Sequence, residues 1–312
     1  MKNVVIISRD WELYEDLFEC SKVLHEHFTL LGASQVPSKK SLALANVVIS
    51  EPDLASRYIK DCPNLGWLQS TWAGNNKLQA LSKQDYILSG VKGVFGLQMV
   101  EYVLSYLLYF TRRIEDFSHV KANNQWLQLS CKTLSQYKIG IMGLGNIGQE
   151  VANRLLTFGM QVNGLSRSDK QVESVRMYRY EQLSLFLDSC DFVCNLLPET
   201  PATIGLCNET FFAQMKPGSV FINAGRGSVV DKPSSIIKAI NTGRLKAAVL
   251  DVYEQEPLPS SHPYYTAPNV YLSCHTAAIS DANKVFDVFE KNALKYIAGE
   301  ALHYQHDFSL GY

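Results

Sequence analysis

The sequence predicts an α/β protein built from two doubly wound parallel-sheet lobes. Three observations predict it. Short apolar runs alternate with longer amphipathic ones along most of the chain, and β-then-α alternation makes parallel sheets covered on both faces. The 312 residues are long for one domain and comfortable for two. A glycine-rich strand-to-helix junction lies near the middle, after Tyr137, so a domain that begins there leaves a separate N-terminal lobe.

In order along the chain, the strand candidates of the first lobe are "NVVIIS", "NVVIS", "GWLQST" and "YILSG". A long helical stretch follows from Leu97 to Asn123, with Val100, Val103, Leu104, Leu107 and Leu108 at helical spacing. The second lobe reads as the strands "YKIGIMG", "MQVNGL", "CDFVCNLL", "GSVFIN", "LKAAVLDV" and "NVYLSC", most of them separated by helices. A final helix from about Asp281 is too short to stand alone and is expected to pack back on the first lobe. The boundaries expected are 1–98 plus 281–312 for one lobe and 99–280 for the other. No repeat, low-complexity tract or Pro/Gly linker interrupts them.

The composition narrows the class. Hydrophobic residues make up 46% and charged residues 19%, as in an ordinary globular protein. A net charge of −1 supplies no field that would draw the chain to nucleic acid or an anionic membrane. The opening "MKNVVIISRDWELY" lacks the apolar core and cleavage site of a signal peptide and reads as a buried strand, and "YVLSYLLYF" is too short to span a bilayer. Seven scattered cysteines in a large chain suit reduced thiols and a cytoplasmic location. Cys190 and Cys194 share a strand face and read as core residues; His25 and His27 lack a third ligand nearby. No metal site is expected.

The junction is "KIGIMGLGNIGQEVANRLLTFGM", an apolar strand, Gly143-x-Gly145-x-x-Gly148, then an amphipathic helix. Gly143 permits the tight turn, Gly145 lets the backbone approach a pyrophosphate, and Gly148 lets helix and strand pack closely. The Asn146 and Ile147 amides would face phosphate from the helix N-terminus. This context, closed by a second strand ending at "GLSRS", identifies a Rossmann-type dinucleotide site. The acid expected at the end of that second strand, which would hold the adenosine ribose, is missing. Ser166, Arg167 and Ser168 stand there, with Lys170 close behind. A guanidinium fork suits a 2′-phosphate, so the pocket reads as one for NADPH or NADP, with NADH or NAD possible. The alternative is a solvated Arg167 beside a site that merely lacks its acid.

Three later stretches place a polar side chain at or after a strand end, where ligands bind in such sheets. "VFINAGRGSVVD" carries Arg226, "AAVLDVYEQEPLP" carries Glu256, and "NVYLSCHTAAIS" carries His275. Arginine, glutamate and histidine are the groups needed to reduce a 2-oxo acid.

The order GLGNIG, "NLLPETPAT", "NAGRGSVVD", "LDVYEQEPLP", "CHTAA" resembles the D-isomer-specific 2-hydroxyacid dehydrogenases, most strongly from Lys138 to Ile279, and "GLSRS" resembles their NADPH-preferring glyoxylate/hydroxypyruvate reductases. The resemblance implies a flavodoxin-like substrate lobe and a Rossmann cofactor lobe that close on a small 2-oxo or 2-hydroxy acid. It implies that Arg226 binds the substrate carboxylate and polarises the 2-oxo group, that His275 gives that oxygen a proton, and that Glu256 orients the imidazole and favours its cationic form. Asp251 resembles the family's contact to the nicotinamide carboxamide. Thr203 and Ala224 fall at further cofactor positions. "TWAGNN" resembles the loop that holds the substrate carboxylate, with amides at Ala73 and Gly74 and Trp72 as a wall. Asn76 stands where the family often has Asp, and Val100 where it usually has Ala before the glutamate. A homodimer is expected through the Leu97–Asn123 region. Two other readings stay open: an NAD-dependent dehydrogenase working toward oxidation, and a non-catalytic dinucleotide-sensing binding protein.

Overall fold

A computed structural model describes residues 1–167 and 171–309. It forms two compact units, Met1–Phe95 with the stretch from Ser280, and Gly96–Ile279. Among the described residues, no helix is long and apolar enough to cross a membrane.

Among the described residues, the first unit holds five strands, β1 (Lys2–Ile7), β2 (Phe28–Ser34), β3 (Val47–Ser50), β4 (Trp67–Ser70) and β5 (Ile87–Ser89). They pair in parallel in the order β2-β1-β3-β4-β5, a flavodoxin-like arrangement. The central strands are apolar without alternation because both faces are covered: Val4 to Ile7 and Val47 to Ile49 are all buried. β2 lies at the edge and is mostly half-buried, so it lacks the continuous apolar run that marks the others. That is why the sequence reading missed it.

The last helix, Ala282–Ala298, belongs to this unit. Asp281 caps its start, accepting from the Asn283 and Lys284 N–H groups, and Gly299 ends it in the left-handed conformation. Phe289 stacks on Trp67 at 5.1 Å between ring centres. A buried polar chain ties this helix to the sheet. Trp67 Nε1 donates to Ser89 Oγ, Ser89 Oγ to Gln69 Oε1, and Asn292 Nδ2 to the same Gln69 oxygen at 3.1 Å. Asn292 Oδ1 accepts from the His303 N–H at 2.7 Å, fixing the segment after the helix. Tyr304 in that segment accepts from the Gly90 N–H through its backbone carbonyl.

The second unit holds β6 (Lys138–Met142), β7 (Gln161–Leu165), β8 (Arg176–Tyr178), β9 (Phe192–Asn195), β10 (Ser219–Asn223), β11 (Leu245–Leu250) and β12 (Val270–Leu272). All pairs are parallel, in the order β12-β11-β10-β9-β6-β7-β8. Counted from β6, this is the doubly wound dinucleotide order with its reversal between β6 and β9. β8, three residues long at the far edge, is the second strand that the apolar pattern did not reveal. Cys190 and Cys194 are both buried, but they do not share a strand face: Cys190 precedes β9, and the two pack in different core clusters of this unit.

The long helix expected over Leu97–Asn123 is broken. Gly96–Thr111 is one helix and Ile114–Ala122 another. Between them Arg113 takes a left-handed backbone, φ 56°, while its Nε binds the Asp116 carboxylate at 2.5 Å. The first helix buries Met99, Val100, Val103, Leu107 and Phe110 and packs on the helix Asn146–Thr157; the second buries no residue.

Replacing Asn292 by Ala would leave the Gln69 oxygen only its Ser89 donor and take the acceptor from the His303 N–H. It should cost about 1–3 kcal/mol, the penalty for taking a partner from a buried hydrogen-bond network. Urea unfolding measures this, and a loss below about 0.5 kcal/mol, the scatter of a neutral surface change, would refute the role given to the chain.

Candidate active site

The glycine loop follows β6 at the point where the sheet order reverses. Gly143 has φ 94°, and an added Cβ there would lie 2.9 Å from the Leu196 carbonyl oxygen, on the loop after β9. A Cβ at Gly148 would collide with the Gly143 carbonyl oxygen. Gly145, by contrast, has nothing within 4 Å of the position its Cβ would take. Two glycines are therefore required by packing, and the third leaves open space at the N-terminus of the helix Asn146–Thr157. Such a cradle fits a pyrophosphate, whose oxygens would face the first-turn amides at Asn146 and Ile147.

β7 ends at Leu165. The Ser166 N–H donates to the Tyr178 carbonyl at 3.1 Å, so this turn is fixed by β8 beside it. Arg167 is exposed. Burial pushes the Tyr180 phenol up, and the charge of Arg167 pulls it partly back. Ser168 and Lys170 lie outside the described residues.

Arg226 follows β10 between two glycines. A Cβ at Gly227 would fall on the Tyr253 carbonyl group, so the arginine loop lies directly against the loop after β11. The buried Asn223 side chain holds the arginine loop, donating from Nδ2 to the Arg226 carbonyl at 3.1 Å and accepting the Gly225 N–H. It also accepts from Asn195 Nδ2 at 2.9 Å, which joins the ends of β9 and β10. Arg226 donates from its guanidinium to the Gly225 carbonyl. Burial pushes its pKa down, opposed by the Glu199 and Glu256 carboxylates; an arginine starts so high that it keeps its charge at neutral pH.

Glu256 and His275 meet. His275 Nδ1 lies 2.7 Å from Glu256 Oε2, and the other carboxylate oxygen accepts the Tyr253 N–H at 3.0 Å. An ionised carboxylate only accepts, so Nδ1 carries the proton and Nε2 is left to face a reacting group. For Glu256, burial is the largest single influence and pushes the carboxyl up. The hydrogen bonds from His275 and Tyr253, with the charges of His275 and Arg226, outweigh it and hold the group below its ordinary value.

The loop that carries His275 is anchored by Asp251, which is buried. Its Oδ1 accepts from Ser273 Oγ at 2.7 Å and the Thr276 N–H at 2.9 Å, its Oδ2 from the Ala277 N–H at 3.0 Å, and its carbonyl from the His275 N–H at 2.7 Å. Three acceptor positions of the carboxylate are thus filled from within the protein. Thr203 Oγ1 bonds the Pro198 carbonyl inside its own turn, and Ala224 is buried with its N–H on the Asn195 carbonyl. In the first unit Trp72 is half-buried, with the Arg9 guanidinium 5.9 Å from its ring centre, and Ala73 is exposed. Among the described residues, the Ala73 and Gly74 N–H groups donate to no other protein group.

Residues 104–277 match the family model "D-isomer specific 2-hydroxyacid dehydrogenase, NAD binding domain". The chain belongs to the D-isomer specific 2-hydroxyacid dehydrogenases. It is 38% identical to glyoxylate/hydroxypyruvate reductase A of Serratia proteamaculans over 216 residues, covering 69% of each chain. A D-isomer specific 2-hydroxyacid dehydrogenase family protein from Aeromonas salmonicida superposes with a TM-score of 0.92 at 32% identity, covering 98% of this chain and 99% of the other. The NADPH-dependent glyoxylate/hydroxypyruvate reductase of Sinorhizobium meliloti, solved with NADP and sulfate, gives a TM-score of 0.87 at 28% identity with both chains fully covered.

Within this dehydrogenase, the groups that the sequence did not single out include Asn223, Tyr253, Ser273 and Tyr102, whose Oη lies 2.8 Å from Ser273 Oγ. Tyr253 and Ser273 lie inside motifs already singled out, but nothing in their spacing signals a hydrogen-bonding role. Tyr102 lies between the apolar helix positions Val100 and Val103, and nothing in the sequence marks its hydroxyl.

The glycine geometry separates two substitutions. Gly148→Ala should lower stability by about 2 kcal/mol or more, as overpacking against backbone does, whereas Gly145→Ala should leave the unfolding midpoint unchanged and weaken dinucleotide binding. Thermal unfolding together with fluorescence titration of NADPH distinguishes them; equal stability losses would contradict the assignment of open space to Gly145. The pH dependence of the pair also has a sign. Because Glu256 is held below its ordinary value, its stabilising contribution is present above the ordinary carboxylate range and is lost as pH falls through the lowered value. Wild type and Glu256→Gln should therefore differ in unfolding midpoint at neutral pH and converge in acid.

Proposed function

We propose that this dehydrogenase reduces small 2-oxo acids, glyoxylate and hydroxypyruvate first, with NADPH as the preferred cofactor. The observation that carries the reading is the 2.7 Å His275–Glu256 pair beside the part-buried Arg226, all on loops at the carboxyl edge of a dinucleotide-type sheet. Bound NADPH supplies a hydride from C4 of its nicotinamide. Arg226 binds the substrate carboxylate through charge-assisted hydrogen bonds and draws electron density from the 2-oxo oxygen. His275, with Nδ1 held by Glu256, delivers its Nε2 proton to that oxygen, so a full alkoxide need not form. The Ala73 and Gly74 amides are the proposed further contacts to the substrate carboxylate, with Trp72 as the wall beside them.

The NADPH preference rests on Ser166 and Arg167 at the end of β7, where no acid stands to repel a 2′-phosphate, and on the NADP held by the Sinorhizobium relative. We also propose a homodimer. Its surface would be the helix Ile114–Ala122 and the stretch after it, where Ile114, Phe117, Trp126 and Leu127 are exposed. A dinucleotide sensor without turnover would have no need for a carboxylate bonded to an imidazole at this position.

Following the nicotinamide absorbance with NADPH and a panel of 2-oxo acids tests the reading; no turnover on any of them would favour the sensor. His275→Gln should lower kcat by roughly 10²–10⁴, the usual contribution of a positioned acid, with NADPH binding retained. Arg167→Asp should move the ratio of kcat/KM toward NADH. An unchanged ratio would show that Arg167 is only a solvated loop residue.

A further inference from the structure

We infer that Tyr102 is a positioning residue for the proton donor, acting through Ser273 and Asp251 without touching substrate or cofactor. The inference rests on the reading of His275 given above.

His275 has φ 56°, a left-handed backbone that side chains other than glycine rarely adopt. The loop around it must be held from outside, and the bonds that hold it converge on Asp251. Two backbone amides, Thr276 N–H and Ala277 N–H, are obligate donors to its two oxygens. Ser273 Oγ is the third donor, at 2.7 Å. A serine hydroxyl has one proton, and here it points at Asp251. The contact between Ser273 Oγ and Tyr102 Oη at 2.8 Å therefore has only one possible direction, with tyrosine donating and serine accepting. Burial pushes the Tyr102 phenol far up, so it keeps the proton it must give.

The result is a directed chain, Tyr102 O–H to Ser273 O–H to the Asp251 carboxylate. It starts on the helix Gly96–Thr111, 171 residues before Ser273. Tyr253 Oη holds the same residue from its other side, bonding the Ser273 carbonyl at 2.7 Å. Without the Tyr102 donor, the Ser273 oxygen loses the bond that holds it in place and polarises its hydroxyl, so the bond it gives Asp251 is weaker and less well aimed. The His275 loop then loosens while the Arg226 loop, held by Asn223 on β10, does not. Proton delivery should suffer and carboxylate binding should not.

The experiment compares Tyr102→Phe, Ser273→Ala, the double variant and Ser273→Thr, with wild type and His275→Gln alongside. In each single variant kcat for glyoxylate should fall about tenfold, less than the hundredfold that a full ångström of misplacement can cause. KM for glyoxylate and the NADPH dissociation constant should stay near wild type. The double variant should be no worse than either single one, and Ser273→Thr should recover most of the activity. Independently of turnover, hydrogen exchange at the Thr276 and Ala277 amides should quicken about tenfold in Tyr102→Phe, because those protons rest on Asp251. Unaltered kcat and exchange in Tyr102→Phe, additive losses in the double variant, or a parallel rise in KM and NADPH dissociation constant would overturn the inference. If His275→Gln instead keeps full activity, it is the proton-donor reading that fails, and the exchange data alone judge whether Tyr102 holds the loop.

Discussion

One buried carboxylate holds the site in shape. Asp251 stands just past the end of β11, where the loops after three neighbouring strands meet. Its N–H donates to the Asn223 carbonyl at the end of β10, its carbonyl accepts the His275 N–H, and its side chain gathers the loop after β12. A buried charge is tolerated only where hydrogen bonds replace its water. Here those bonds also fix the backbone that carries the histidine. The same atoms thus solvate a charge and set a geometry.

The chemistry follows from a division between fixed and open groups. Nδ1 of His275, both oxygens of Glu256 and the backbone on either side of Arg226 are committed to internal hydrogen bonds. Those bonds leave Nε2 of His275 without an assigned task, and the Arg226 fork with donors to spare beyond its one bond to the Gly225 carbonyl. Glu256 stays ionised because its partners outweigh the cost of burial. The histidine is therefore aimed by a charge that persists throughout the neutral range, and the arginine brings positive charge to the same loops. Electrostatic stabilisation of this kind acts because the dipoles are already in place when charge develops.

Much of this was legible in the sequence. Arg226, Glu256 and His275 each lie in a short loop after an apolar strand, and buried parallel strands declare themselves as continuous apolar runs. The two strands that escaped, β2 and β8, are edge strands, where half of the surface is open and the apolar run is diluted. The break at Arg113 escaped because the apolar spacing continues at Ile114 and Phe117, and a backbone reversal at one arginine leaves no mark on that pattern. Tyr102 escaped for a different reason. Its partner is 171 residues away, and only the fold shows that a tyrosine on an apolar helix ends on a serine hydroxyl. Ser166 and Arg167 lie after β7, as the glycine motif predicts, but which phosphate or hydroxyl they meet depends on a bound nucleotide.

The proposed chemistry depends on where the imidazole points when substrate is present. A crystal structure of the protein with NADP and a non-reducible 2-oxo acid analogue tests this most directly. His275 Nε2 is expected at about 2.6–3.2 Å from the 2-oxo oxygen, the reach of a general acid, with the Arg226 guanidinium on the analogue's carboxylate and the Glu256 bond intact. An imidazole turned away from the analogue, or a carboxylate bound with no contact to Arg226, would contradict it.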